Sequence, residues 1–257
     1  MPRLISSVLM LLVVLASNSC KSSDNKPQRQ SKVVFCLFDL SASTEAQATR
    51  QRYADAFKRI LGKIGEGDVI VADAITDSPL SQSSFPVNES FPEFKPDTDN
   101  DLIVKNKRVE FDSQLQEKRD AMSKTIAALL SDQSRKINRT KILDALQLAE
   151  RVFRTYARPT KVLVVLSDMI EESDHYNFLK QRLNDTEDQQ IIAAEKKAGR
   201  LPALSGVRIY VIGSAVSGPS SSDRFEHIES FWLQYFKAAE ADLSKERYGS
   251  ALISFDE

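Results

Sequence analysis

Apolar residues in this chain follow two patterns, short unbroken runs and stripes at helical spacing, and the two alternate along the sequence. Val33 to Phe38 is an unbroken run closed by Asp39, and a run of this kind predicts a strand buried on both faces. Similar runs predict strands over Asp68 to Ile75, Val162 to Leu166 and Val207 to Gly213, with a short last strand over Ala251 to Phe255. Between them, Tyr53, Phe57, Ile60, Leu61 and Ile64 form one stripe, which predicts a helix over 50–64 ended by Gly65-Glu66-Gly67. Ile142, Leu146, Ala149, Phe153 and Tyr156 form a second stripe, over Thr140 to Tyr156. Further helices are expected over 113–130, over the polar stretch 173–200, and over 225–241, where Phe231, Trp232, Tyr235 and Phe236 read as core packing.

The stretch 76–100 is rich in Ser, Pro, Asp and Asn and reads as a long loop. After it, Leu102-Ile103-Val104 and Arg108 to Phe111 flank Lys105-Asn106-Lys107 and predict a small edge hairpin, which makes an insertion of about 76–112. No internal repeat is present. Alternating strand and helix signals predict an α/β fold, a doubly wound, mostly parallel sheet with helices on both faces.

The N-terminus has a different pattern. Arg3 precedes a mostly apolar stretch from Leu4 to Ala16, followed by Ser17-Asn18-Ser19-Cys20. That order reads as a secretory signal over 1–19 and is too short for a membrane span. A cysteine directly after the cleavage region resembles a bacterial lipoprotein signal, with Cys20 lipidated, although Ser17 stands where leucine is usual; ordinary signal cleavage is the alternative. Residues 21–31 contain no large apolar side chain and read as a flexible tether, leaving 32–257 for one domain. The expected location is the bacterial cell envelope, lipid-anchored to a membrane and facing periplasm or exterior. The only other cysteine, Cys36, lies inside the first apolar run and reads as a small buried hydrophobe.

Thirty-five basic against thirty-six acidic residues leave no field to attract nucleic acid. His175 and His227 stand in no metal spacing, and no Gly-rich phosphate loop or Gly-x-Ser-x-Gly elbow is present. The chemistry gathers instead at strand ends. Asp39, Ser41 and Ser43 place oxygen donors at alternate positions after the first strand, where ligands sit in open α/β sheets, and this suits a hard cation such as Mg²⁺. The same residues would equally close a turn and cap the following helix. Thr140 opens an amphipathic helix, and Asp168 ends the buried run that begins at Val162.

In this pattern the chain resembles the von Willebrand factor type A family and its metal-ion-dependent adhesion site. The resemblance covers about 32–257. It implies that Asp39, Ser41, Ser43, Thr140 and Asp168 hold Mg²⁺ or Mn²⁺, the hydroxyls as neutral ligands and the aspartates partly through water. It also implies that the metal takes a carboxylate from a protein partner as its last ligand. Two glycines usual in the family, before the threonine and after the last aspartate, are replaced by Arg139 and Met169, so a different backbone path is expected at Met169. Glu171, Glu172 and Asp174 form an acidic rim near the expected metal; it reads as a solvated N-terminal helix turn, the alternative being that it tunes the ion or orients a ligand.

The reading is therefore a lipid-anchored, metal-dependent protein-binding module that is not an enzyme. One alternative is a Mg²⁺-dependent phosphohydrolase of haloacid-dehalogenase type, which normally needs an aspartate where Ser41 stands. The other is a metal-free scaffold of the same fold.

Overall fold

The computed structural model describes residues 29–81, 84–132, 137, 139–214, 222–252 and 254–255. Cys20 and the expected signal lie outside the described residues, as does Asn138. Within the described residues the strands are β1 (Lys32–Asp39), β2 (Val69–Ile75), β3 (Val87–Ser90), β4 (Thr160–Leu166), β5 (Val207–Ile212) and β6 (Tyr248–Gly249). The helices are α1 (Gln47–Leu61), α2 (Asp101–Ser131), α3 (Ile142–Thr155), α4 (Asp185–Lys197) and α5 (Ser222–Ala238).

The strands form one sheet in the order β3-β2-β1-β4-β5-β6, and all neighbours are parallel except β2 and β3. Side chains alternate faces along a strand, so each apolar run supplies two cores at once. Val33, Phe35 and Leu37 face one core with α3 and α5, including Trp232, Tyr235 and Phe236. Val34, Cys36 and Phe38 face the other with α1 and α2. Helices on both faces explain why β1 is apolar at every position from Val33 to Phe38, and Cys36 is buried core as expected.

Four expectations about elements need correction. No hairpin forms over 102–111, which is the first third of α2, a helix of 31 residues. The Asn100 side chain accepts hydrogen bonds from the N–H groups of Leu102 (3.1 Å) and Ile103 (3.3 Å), capping the helix start. Lys105-Asn106-Lys107 lacks glycine and proline, so nothing there breaks the helix. Val104, Phe111, Leu115, Met122, Ile126 and Leu129 recur at helical spacing. Second, the loop over 76–100 contains β3, an edge strand between Pro86 and Pro92, where a missing N–H is tolerated.

Third, 173–184 is not helical. Phe178 drops from it into the core against Phe231, with ring centroids 4.7 Å apart, and α4 begins only after its cap Asn184. Fourth, β6 is Tyr248–Gly249 rather than 251–255; Leu252 and Phe255 cover the sheet face instead, with the Phe255 ring 5.2 Å from Tyr210. At the other end, Arg29 in the expected tether pairs with buried Asp68 at 2.6 Å. No helix of the described residues is long and apolar enough to cross a membrane.

Candidate metal centre

The connection from β1 to β2 runs through α1 on one face of the sheet, and the connection into β4 runs through α3 on the other, so the crevice between the carboxyl ends of β1 and β4 is its switch point. Asp39 ends β1 there, fully buried. Its Oδ1 accepts the Ser41 N–H at 2.8 Å, which turns the chain back on itself into a short 3₁₀ turn over Ala42–Thr44. Two further groups fasten this loop. The Thr44 hydroxyl donates to the Asp39 carbonyl at 2.8 Å, and Arg50 Nη1 donates to the same oxygen at 2.7 Å from the first turn of α1. The loop so held brings the Ser41 and Ser43 hydroxyls to 3.0 Å from each other.

Across the crevice, the Ser167 hydroxyl donates to Asp39 Oδ2 at 2.7 Å and accepts the Met169 N–H at 2.9 Å. Ser167 thus ties the two strand ends together beside Asp168. Burial and the neighbouring Asp39 charge push the Asp168 carboxyl up to about 6, against the opposing pull of the Ser43 hydroxyl and the Ile170 N–H. Asp39 is raised too, chiefly by burial, while hydrogen bonds from Ser167 and Ser41 and the Arg50 charge hold it down. Two buried carboxylates that disfavour each other's charge form a site whose ionised state a cation would stabilise.

Thr140 lies buried just before α3. Its carbonyl accepts the Glu172 N–H at 2.9 Å, which docks it on the segment that carries Asp168. Among the described residues its hydroxyl makes no hydrogen bond to the other four predicted site residues.

Met169 adopts φ 64°, the left-handed region that glycine favours. Methionine here holds a backbone conformation that glycine adopts without steric cost. Its conformation is held by a fully buried side chain and by Trp232 Nε1, which donates to its carbonyl at 2.8 Å. At the other replaced glycine, the Arg139 N–H donates to Asp77 Oδ1 at 3.1 Å and its guanidinium pairs with Asp174.

Glu171 corrects an expectation. It is fully buried, not solvated, and its Oε2 accepts the N–H groups of Ile142 (2.7 Å) and Leu143 (3.1 Å) at the start of α3. Burial pushes its carboxyl up to about 8, the two N–H groups pulling the other way.

The donor set fits a hard divalent cation. Two carboxylates, Asp39 and Asp168, and the hydroxyls of Ser41, Ser43 and Ser167 meet at the switch-point crevice, while no group of three or more His, Cys, Asp or Glu side chains suited to a metal exists among the described residues. A groove of about 520 Å³ opens beside Asp168, with Ser43, Thr49, Arg52, Gly213 and Phe225 among its walls. Gly213, at φ 105°, leaves room for Tyr53, since a Cβ there would sit 2.5 Å from the Tyr53 hydroxyl.

No protein-family profile and no curated protein matches the chain. Among solved structures it is similar to a von Willebrand factor type A protein from Catenulispora acidiphila, at 11% identity and a TM-score of 0.38, covering 82% of this chain and 43% of that one. It is similar to the PilB minor pilin of Streptococcus sanguinis, at 13% identity and a TM-score of 0.38, covering 83% and 62%. It is also similar to proximal thread matrix protein 1 of the mussel byssus with a zinc-occupied MIDAS motif, at 11% identity and a TM-score of 0.36, covering 82% and 45%. The chain spans less than two thirds of the length of each.

Proposed function

We propose that the chain is a von Willebrand factor type A module that binds a protein partner through a metal-ion-dependent adhesion site. One observation carries the reading: Asp39, Ser41 and Ser43 meet Ser167 and Asp168 at the switch point, with the Thr140 carbonyl bonded to Glu172 on the segment that follows Asp168. Asp39, Ser41, Ser43, Thr140 and Asp168 would hold Mg²⁺ or Mn²⁺. The ion would supply an electrophilic centre that takes a partner's Asp or Glu carboxylate. Neutral hydroxyls favour this, because they leave more of the ion's charge for the incoming ligand than further carboxylates would. The groove beside Asp168 would receive the rest of the partner's surface, and the start of the 76–100 loop, at the same sheet end, would add a second contact.

Cys20 is proposed as the lipid attachment point of a cell-envelope protein; acyl labelling lost in Cys20→Ser tests it, and a soluble, unlipidated mature chain contradicts it. A binding role is favoured over phosphoryl chemistry because Ser41 occupies the position of the required acid/base carboxylate. The test is capture of envelope proteins by the purified domain. Capture should need divalent cation and fail in Asp39→Ala and in Thr140→Ala. Capture that survives chelation would remove the metal mechanism, and turnover of p-nitrophenyl phosphate that disappears in Asp39→Asn would replace the reading with a hydrolase.

A further inference from the structure

Thr140 lies buried just before α3 with no hydrogen bond of its own to the aspartates or serines of the site, so its position is set by other contacts. Helix α3 starts at Ile142 with Lys141 at its N-cap, and Lys141 provides no side-chain cap. The first helical N–H groups would be left unsatisfied in a buried place, a cost that native structures avoid. Glu171, three residues after Asp168, fills that role from another part of the chain, its Oε2 taking both the Ile142 and Leu143 N–H groups. The adjacent Glu172 N–H donates to the Thr140 carbonyl at 2.9 Å, and the Phe178 N–H donates to the Glu171 carbonyl at 3.0 Å, anchoring the segment to the core residue Phe178. Glu171 and Glu172 are thereby stapled to Thr140 and to residues 142–143 that follow it.

We infer that Glu171 is a positioning residue for the metal site, acting through Thr140: it fixes the α3 start against the Asp168 loop so that the threonine hydroxyl faces the ion. The inference rests on the metal-binding reading above. Such supporting partners typically change metal affinity 10- to 100-fold when removed.

The experiment is a Mn²⁺ titration of the full chain, followed by the electron-paramagnetic signal of the free ion, across a double-mutant cycle. Glu171→Ala should weaken Mn²⁺ binding by about 10- to 100-fold. Glu171→Gln keeps an acceptor oxygen for the two N–H groups and should restore affinity close to that of the unaltered chain. In a Thr140→Ala background, Glu171→Ala should cause no further loss, because the residue it positions is gone. Where Glu171→Ala does not fold, as circular dichroism would reveal, Glu171→Met of similar length takes its place in the cycle. Unchanged affinity in the folded Ala or Met variant, or losses that add across the cycle, would overturn the inference. Absence of Mn²⁺ binding by the unaltered chain is a separate result that overturns the metal-site reading and this inference with it.

Discussion

Asp168 and Glu171 give the site a pH signature that can be worked out from sign alone. Asp168 rises from 3.8 to about 6 in the folded chain, so the native state binds more protons than the unfolded state across that window. Stability of the metal-free protein must then fall as pH rises from about 4 to about 6. A bound cation favours the ionised carboxylate and reverses this contribution. Melting temperatures across that window should separate increasingly with and without Mg²⁺ as pH rises; parallel curves would contradict the pairing of Asp168 with Asp39. Glu171 adds its own decline between 4.5 and about 8, which Glu171→Gln should remove. Met169 makes a different prediction. Glycine would relieve about 1–2 kcal/mol of left-handed strain, but losing a fully buried methionine costs about 2–5 kcal/mol. Met169→Gly should therefore lower urea stability, and a more stable variant would show that the side chain is dispensable.

At the scale of elements, what could be read from sequence was what is local. β1, β2, β4 and β5 are buried on both faces, so their apolar runs declare them, and Asp39, Ser41, Ser43 and Asp168 stand out because they follow those runs directly. Ser167 and Arg50 were missed, and Glu171 was read as solvated, because their roles depend on partners distant in sequence: Ser167 and Asp39 are 128 residues apart. β3 and β6 were missed or shifted because each is short, with only four and two residues, and takes its hydrogen bonds from a neighbour rather than from its own pattern. The hairpin error at 102–111 arose where helix α2 runs largely exposed, with Leu102 and Val109 about 70% accessible, so no buried stripe marked the period. Its start should depend on the Asn100 cap: Asn100→Ala should speed amide exchange at Leu102 and Ile103, and unchanged exchange would contradict the capping role.

For the whole molecule, the sheet order decides the function proposed. Among the described residues, the connections diverge at the crevice between β1 and β4, and Asp39, Ser41, Ser43 and Asp168 lie at its mouth. The central claim, that these residues hold a divalent cation in the folded state, is tested most directly by thermal unfolding of the unaltered chain and of Asp39→Ala, with Mg²⁺ and with chelator. An ion that binds only the native state stabilises it by roughly 2.7 kcal/mol at a hundredfold excess over Kd. The melting temperature of the unaltered chain should rise with Mg²⁺, and the rise should vanish in Asp39→Ala; equal curves with Mg²⁺ and chelator in the unaltered chain would contradict the account.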